Sequence, residues 1–261
     1  MGSYVFCVGM ARACSTWQYG VAGALAERFR SGQRLGVLVG EEFVAHDAAN
    51  SPHSLGVLKT HKPDGYLAEA LAAGRAVGVY SYRDLRDVAF SLMHKFAESF
   101  ESIVDERRLI HQCLEHYEFW TAQPHMLRQR YEDLIVDPAK GVREIAQHMG
   151  LDLSDIEIRT IAAENTLESN RRRTTKVAEK LAREGLDLND PRNAIKFDPK
   201  TLWHWNHLRD GRSGGWRTQA TREQRAALAR ICGDWLIQHG YETDDRWVFE
   251  DPPMTQERAA S

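Results

Sequence analysis

Gly9-Met10-Ala11-Arg12-Ala13-Cys14-Ser15-Thr16 is a run of mostly small residues that carries one arginine and ends in two hydroxyls. Set between a strand and a helix, such a loop turns several backbone N–H groups and the positive helix end toward one point. That arrangement suits an anion, most often a phosphate. Three further stretches carry matching chemistry: Lys59-Thr60-His61-Lys62, Arg83 with Ser91 eight positions later, and the glycine- and arginine-rich segment 207–217. Arginine presents a planar fork that engages a phosphate bidentately. An arginine at a strand end and a hydroxyl a turn or two into the next helix can converge on an anion at that helix's N-terminus. The loop at 9–16 thus reads as an anion site, and Arg83 with Ser91 has the geometry to converge on an anion as well.

The elements needed to hold these residues are legible in outline. Residues 4–8 suit a buried strand, and Trp17, Val21, Leu25 and Phe29 give the helix after the loop its apolar spacing. Further strands are predicted over 35–39, 55–60, 76–82 and 126–131, with 41–53 read as a loop. Helices are predicted over 64–73, from Leu85 through Phe96, over 103–122, over 152–165 and over 221–239. The best-signalled helix begins at Asp137, an N-cap acceptor, with Pro138 at its first position and Gly150 closing it. Strands alternating with helices imply βαβ units, so the expected fold is α/β: a single P-loop-like domain with a central, mostly parallel sheet and helices on both faces. Doubly wound sheets bind ligands at the carboxyl ends of their strands, where these loops fall. The domain is expected to span residues 1–249, with a charged lid or surface arm over about 169–206 and a tail of disordered composition from 250 to 261.

A length of 261 residues is ample for a sizeable core, and a net charge of −3 argues against non-specific nucleic-acid binding. Any anion site must therefore be a local cluster of Arg and Lys. Cys7, Cys14, Cys113 and Cys232 show neither CxxC spacing nor a metal pattern, so a reducing compartment and no metal are expected. No apolar run approaches the roughly 20 residues of a membrane span. The strand pattern begins almost at the N-terminus, which leaves no stretch resembling a signal peptide, and a cytoplasmic location is the expectation.

Against the nucleoside-triphosphate loop GxxxxGK[ST], Gly9–Thr16 has the right length. Cys14, however, replaces the second glycine, and Ser15 replaces the lysine that would reach the β- and γ-phosphates. There is no GxGxxG. The stretch Gly9–Trp17 instead resembles the 5′-phosphosulfate loop of sulfotransferases that use 3′-phosphoadenosine 5′-phosphosulfate (PAPS), commonly Tyr-Pro-Lys-Ser-Gly-Thr-Thr-Trp. Lys59-Thr60-His61-Lys62-Pro63 resembles that family's Lys-Thr-His-Leu-Pro segment. Arg83 through Ser91 resembles its 3′-phosphate motif, and Arg209–Arg217 its Arg-Lys-Gly-x-x-Gly-Asp-Trp-Lys loop. Tyr131-Glu132-Asp133-Leu134 and the Asp137-Pro138 helix also match. Together the pieces span residues 4–217, in the family's order, and look like the cytosolic type in a short, bacterial-like form.

The resemblance implies in-line transfer of a sulfuryl group to an acceptor hydroxyl, with adenosine 3′,5′-bisphosphate (PAP) as product. Arg12 takes the position of the family's loop lysine and would stabilise the departing phosphate. Ala13, Cys14, Ser15 and Thr16 would hold the 5′-phosphate; Cys14 is either a small residue in the family's glycine position or an activated thiol. His61 matches the general base, a task that an ordinary imidazole pKa of ~6.5 suits. Glu41 or Glu42 is the rival base, by analogy with glycan and tyrosyl sulfotransferases. Lys59 would position the sulfuryl group. Arg83 and Ser91 are assigned to the 3′-phosphate, with Arg209, Asp210 and Gly211 closing over it; Asp210 departs from the family's lysine. Trp17 and Tyr131 match adenine contacts, although Trp17 also fits the apolar stripe of its helix. Arg171, Arg172 and Arg173 lie where the family has its lid, with no single one favoured for phosphate. The acceptor is a small molecule or glycan with a hydroxyl group, its pocket lined by 41–53, 95–107 and 169–206. Of the family's dimer motif, Arg217 and Thr221 remain while Arg222 and Ala226 replace its Val and Glu, so the oligomeric state stays open. A small-molecule kinase and a non-catalytic nucleotide-binding module are the competing readings.

Overall fold

The computed structural model describes residues 3–49, 55–206, 208 and 211–250. The chain alternates β1 (Tyr4–Cys7), α1 (Ser15–Phe29), β2 (Gln33–Gly36), α2 (Gly40–Ala49), β3 (Gly56–Lys59), α3 (Gly65–Ala72), β4 (Ala76–Tyr82) and α4 (Leu85–Phe96). A π-helical turn at Ser102–Glu106 leads into α5 (Leu109–Thr121), β5 (Met126–Arg130), α6 (Tyr131–Val136) and α7 (Pro138–His148). Then follow α8 (Asp155–Glu164), α9 (Leu167–Arg183), the short α10 (Trp216–Gln219) and α11 (Arg222–Gln238).

The five strands form one sheet in the order β2-β3-β1-β4-β5, every neighbouring pair parallel. From β1 the chain winds to β2 and β3 on one side, then crosses to β4 and β5 on the other. The winding direction therefore reverses between β1 and β4, and the crevice at their carboxyl ends is where doubly wound sheets bind ligands. Both faces are covered, as period-two alternation in a buried sheet requires. Val5, Cys7, Val57 and Val79 pack with α1, α7 and α8 in one cluster. The alternate residues Tyr4 and Phe6 meet Phe43 of α2 at centroid distances of 5.2 and 5.6 Å, and Tyr80 meets Tyr117 of α5 at 5.5 Å.

The chain groups into two compact units. The first comprises the residues up to Arg83 together with Glu115–Gly211 and contains the whole sheet. The second comprises Asp84–Leu114 and the residues from Arg212 onward. The second is organised around Arg86, only 1% exposed. Its guanidinium donates to both oxygens of Asp84 and to Glu242, and lies over the rings of Trp216 and Trp247 at 3.9 and 4.5 Å. A buried charge is tolerated only when it is partnered this completely.

The sequence expectations hold for β4, for α3 with its Asp64 N-cap, for α7 with Asp137 accepting from Lys140 N, and for α11 with its Thr221 capping box. Three need correction. Segment 41–53, read as a loop, contains α2, whose only buried residue is Phe43. Residues 50–54 lie outside the described residues. The second strand is Gln33–Gly36, not 35–39; Val37 is already exposed beyond its end. The single helix expected over 103–122 is instead a π-helical turn and α5, separated around Arg108, whose backbone is left-handed at φ 52°. The segment 169–201 carries most of α9, and Val177, Leu181 and Trp203 form a small apolar cluster there.

Candidate active site

The loop after β1 stays paired to the sheet before it turns. Val8 N donates to Val79 O and Met10 N to Ser81 O, so the chain runs alongside β4 for three residues past the strand. Gly9 makes this possible: a Cβ there would sit 2.3 Å from Ser81 Oγ and 2.7 Å from Ser81 N. The turn itself uses two left-handed non-glycine residues, Arg12 at φ 62° and Cys14 at φ 73°. Such conformations cost energy and cluster at functional sites. Cys14 is the N-cap of α1 and supplies no side-chain cap. That left-handed φ is a conformation glycine adopts most readily. The Thr16 hydroxyl is buried in the first turn and has no hydrogen-bond partner. A buried orphan hydroxyl beside uncapped helical N–H groups is the donor set a phosphate needs.

Two arginines meet at this turn. Arg83, at the end of β4, donates from Nη1 to Arg12 O at 3.3 Å and stacks 4.1 Å over the ring of Tyr131, the first residue of α6. Desolvation, and then the charge of Arg83, hold the Arg12 guanidinium down to about 10. Two like charges enclosed together at a helix N-terminus favour a polyanion between them. Burial pushes the Cys14 thiol up to about 12, which disfavours the thiolate.

Across β1 from Arg83, the end of β3 presents Lys59 and His61. His61 Nδ1 lies 2.5 Å from Gly9 O, the loop's own carbonyl, and Nε2 lies 3.0 Å from Lys59 Nζ. A carbonyl only accepts, so the proton sits on Nδ1 and the lone pair on Nε2. Trp120 Nε1 donates to His61 O at 3.2 Å and fixes the backbone at the same point. Lys59 is buried, and desolvation brings its ammonium down to about 8. Glu41 and Glu42 lie exposed in the first turn of α2. Lys59, His61, Arg12 and Arg83 thus come from the carboxyl ends of three adjacent strands, β3, β1 and β4.

Trp17 is buried in the apolar stripe of α1, and its Nε1 donates to Asn165 O at the end of α8. Gln18, fully buried one position on, donates to Gln129 of β5, which in turn bonds Gly141 O and Glu144 of α7. This polar chain fixes the rotation of α1. A glutamine in an apolar stripe was its one sequence signal. Gly211 has φ +72°, and its Cα packs against the side chain of Leu167. Arg209 and Asp210 lie outside the described residues. Arg171 and Arg172 are exposed, Arg172 paired with Glu168 at 2.8 Å, whereas Arg173 turns inward to Asn165 and Asn170.

In the second unit Ser91 lies on α4, half-buried. One turn earlier is a residue the sequence reading missed. Asp87, 4% exposed, accepts from Gly214 N at 2.7 Å and Trp216 N at 3.1 Å, and so ties down the glycine-rich loop, with Gly214 left-handed at φ +79°. An acidic residue in the first turn of a helix reads from sequence as a dipole partner, which hides this role. Among the described residues no group of three His, Cys, Asp or Glu side chains is placed to hold a metal.

Comparison with known proteins follows the same outline. A family model described as "Sulfotransferase domain" matches residues 39–240. A curated relative, "Flavonol sulfotransferase-like" from Flaveria bidentis, is 24% identical over 216 residues, 75% of this chain and 65% of the relative. The chain thus spans about two thirds of that relative's length. Among solved structures, a mouse sulfotransferase complexed with PAP superposes with a TM-score of 0.64 at 14% identity, over 94% of this chain and 86% of that one. Retinol dehydratase in complex with androsterone and inactive cofactor PAP gives 0.61 at 18% identity, over 90% and 80%. These similarities support the same fold.

Proposed function

Because the chain belongs to the sulfotransferase family, we propose that it transfers the sulfuryl group of PAPS to the hydroxyl of a small-molecule or glycan acceptor and releases PAP. The observation that carries this reading is the turn at β1. Arg83 donates to the Arg12 carbonyl there, beside the buried Thr16 hydroxyl that lacks a partner and the α1 N-terminus without a side-chain cap. The charge and donors fit a 5′-phosphate held by Ala13, Cys14, Ser15 and Thr16. By the family resemblance, the 3′-phosphate would be bound by Arg83 and Ser91, and by Arg209, Asp210 and Gly211. Trp17 and Tyr131 flank the adenine.

In the transfer, the acceptor oxygen bonds to sulfur while the bond from sulfur to the 5′-phosphate oxygen breaks. That oxygen leaves with the electron pair, and Arg12 stabilises its growing charge. The acceptor's proton goes to His61 Nε2, the nitrogen left basic because Nδ1 faces Gly9 O. Lys59 covers that lone pair at 3.0 Å. Its three N–H groups find better acceptors in the sulfuryl oxygens, so substrate arrival would draw Lys59 toward sulfur and free Nε2 in the same step. The relatives crystallised with androsterone or retinol suggest an acceptor of similar chemistry.

The test is transfer of labelled sulfuryl from PAPS across a panel of phenols, sterols, sugars and peptides. A sulfated product is expected with the native chain and not with His61→Ala. A chain that binds PAP yet sulfates nothing in the panel would support the non-catalytic reading instead.

A further inference from the structure

A cavity of about 250 Å³ lies within the first unit, walled by α1, β2 and the α8–α9 junction. It opens where α1 offers the small residues Gly20 and Ala24 on one face. Its charged lining is unbalanced. Arg28 pairs with Glu164 at 2.6 Å, and Arg34 reaches Glu27 at 3.4 Å. The third guanidinium, Arg173, is held among the described residues by neutral oxygens, Asn165 Oδ1 at 3.1 Å and Asn170 Oδ1 at 2.5 Å. Desolvation, and then the charge of Arg34, lower its pKa, opposed only in part by Glu164. Asn165 and Asn170 are themselves buried. They anchor the guanidinium but, being neutral, bring no counter-charge to it.

A half-buried arginine facing a second arginine across an open space is unfavourable until an anion enters. We propose that this cavity is an oxyanion site separate from the loop at 9–16. It would take a carboxylate, sulfate or phosphate group, with Arg173 as the planar fork and Arg34 as the second charge. The space exceeds that of a bare oxyanion, and Tyr19 and Trp203 in its wall provide ring surface for an organic substituent. The ligand class is therefore a small organic acid, sulfate ester or phosphate ester, and the inorganic anions are its minimal probes.

The experiment is calorimetric titration of inorganic sulfate into the full chain held at saturating PAP, which occupies the nucleotide phosphate sites. One saturable sulfate site is expected, weakened about tenfold by Arg173→Gln. Arg173→Lys, which keeps the charge and loses the fork, should fall between the two. Lys176→Gln, an exposed charge loss on the same helix, should leave the affinity unchanged. Absence of saturable binding in the native chain would overturn the proposal. So would native affinity in Arg173→Gln, or equal weakening by Lys176→Gln. Phosphate in place of sulfate should give the same ranking of variants.

Discussion

Lys59 is a charge the fold keeps at a cost, and removing it makes a test in which stability and activity move in opposite directions. Desolvation at the end of β3 brings its ammonium from 10.5 to about 8. At about 1.4 kcal/mol per pH unit, that difference corresponds to about 3 kcal/mol of destabilisation while the lysine is charged in both states. The direction with pH follows from proton counts. Below about pH 8 the folded and unfolded chains both carry the proton, and the full penalty applies. Between about 8 and 10.5 the folded state has released it and the unfolded state has not, so stability rises with pH across that window. Lys59→Met fills the same space without the charge. Urea unfolding at pH 7 should show the variant more stable by up to about 3 kcal/mol, with the advantage gone by pH 10.5. The difference between the two proteins is the quantity to read, because Tyr19, Tyr82 and Tyr117, raised by burial, pull stability the other way at high pH in both. Turnover in Lys59→Met should fall sharply. Parallel stability curves for the two proteins from pH 7 to 10.5 would refute the desolvation argument.

Three further predictions concern single contacts. His61→Ala should cut turnover by 10²–10⁴-fold, roughly the worth of a general base, while PAP binding survives in a calorimetric titration; near-native turnover would transfer the role to Glu41 or Glu42. Asp87→Asn puts an amide N–H against one of the Gly214 and Trp216 N–H groups. It should cost about 2 kcal/mol in urea unfolding and weaken PAP more than adenosine 5′-monophosphate. Gly9→Ala drives a Cβ into the backbone N of Ser81, so a loss of about 1–3 kcal/mol is expected, and the double change with Ser81→Ala should not restore it.

Where local chemistry set the structure, the sequence was readable. Asp137-Pro138 carries its own N-cap, and β4 is a mostly apolar run buried along most of its length, so both appear at the expected residues. Where distant contacts set it, the sequence was opaque. The first N–H of α2 bonds Asp64, which lies 24 residues away, and the helix buries only Phe43, so no apolar stripe announced it. The buried face of α9 is Asn170, Thr174, Val177 and Leu181; half of that stripe is polar, and the segment read as a charged arm. The same division holds at the site. Arg12, Lys59, His61 and Arg83 were legible because strand ends fix their position and the motifs fix their type. Asp87 and Asn165 were not, since each acts through a backbone group that only the folded chain brings near.

The central claim is that this chain has a site for a nucleotide phosphorylated at both the 3′ and 5′ positions. Titration of the chain with PAP, adenosine 5′-monophosphate and ATP with magnesium tests it most directly. PAP should bind at least about tenfold tighter than the monophosphate, as one charge-assisted phosphate contact is worth about that much. Arg83→Met should erase the margin, and PAP at 100 times its Kd should stabilise the native chain by about 2.7 kcal/mol. Equal affinity for PAP and the monophosphate, or a preference for ATP with magnesium, would contradict the account.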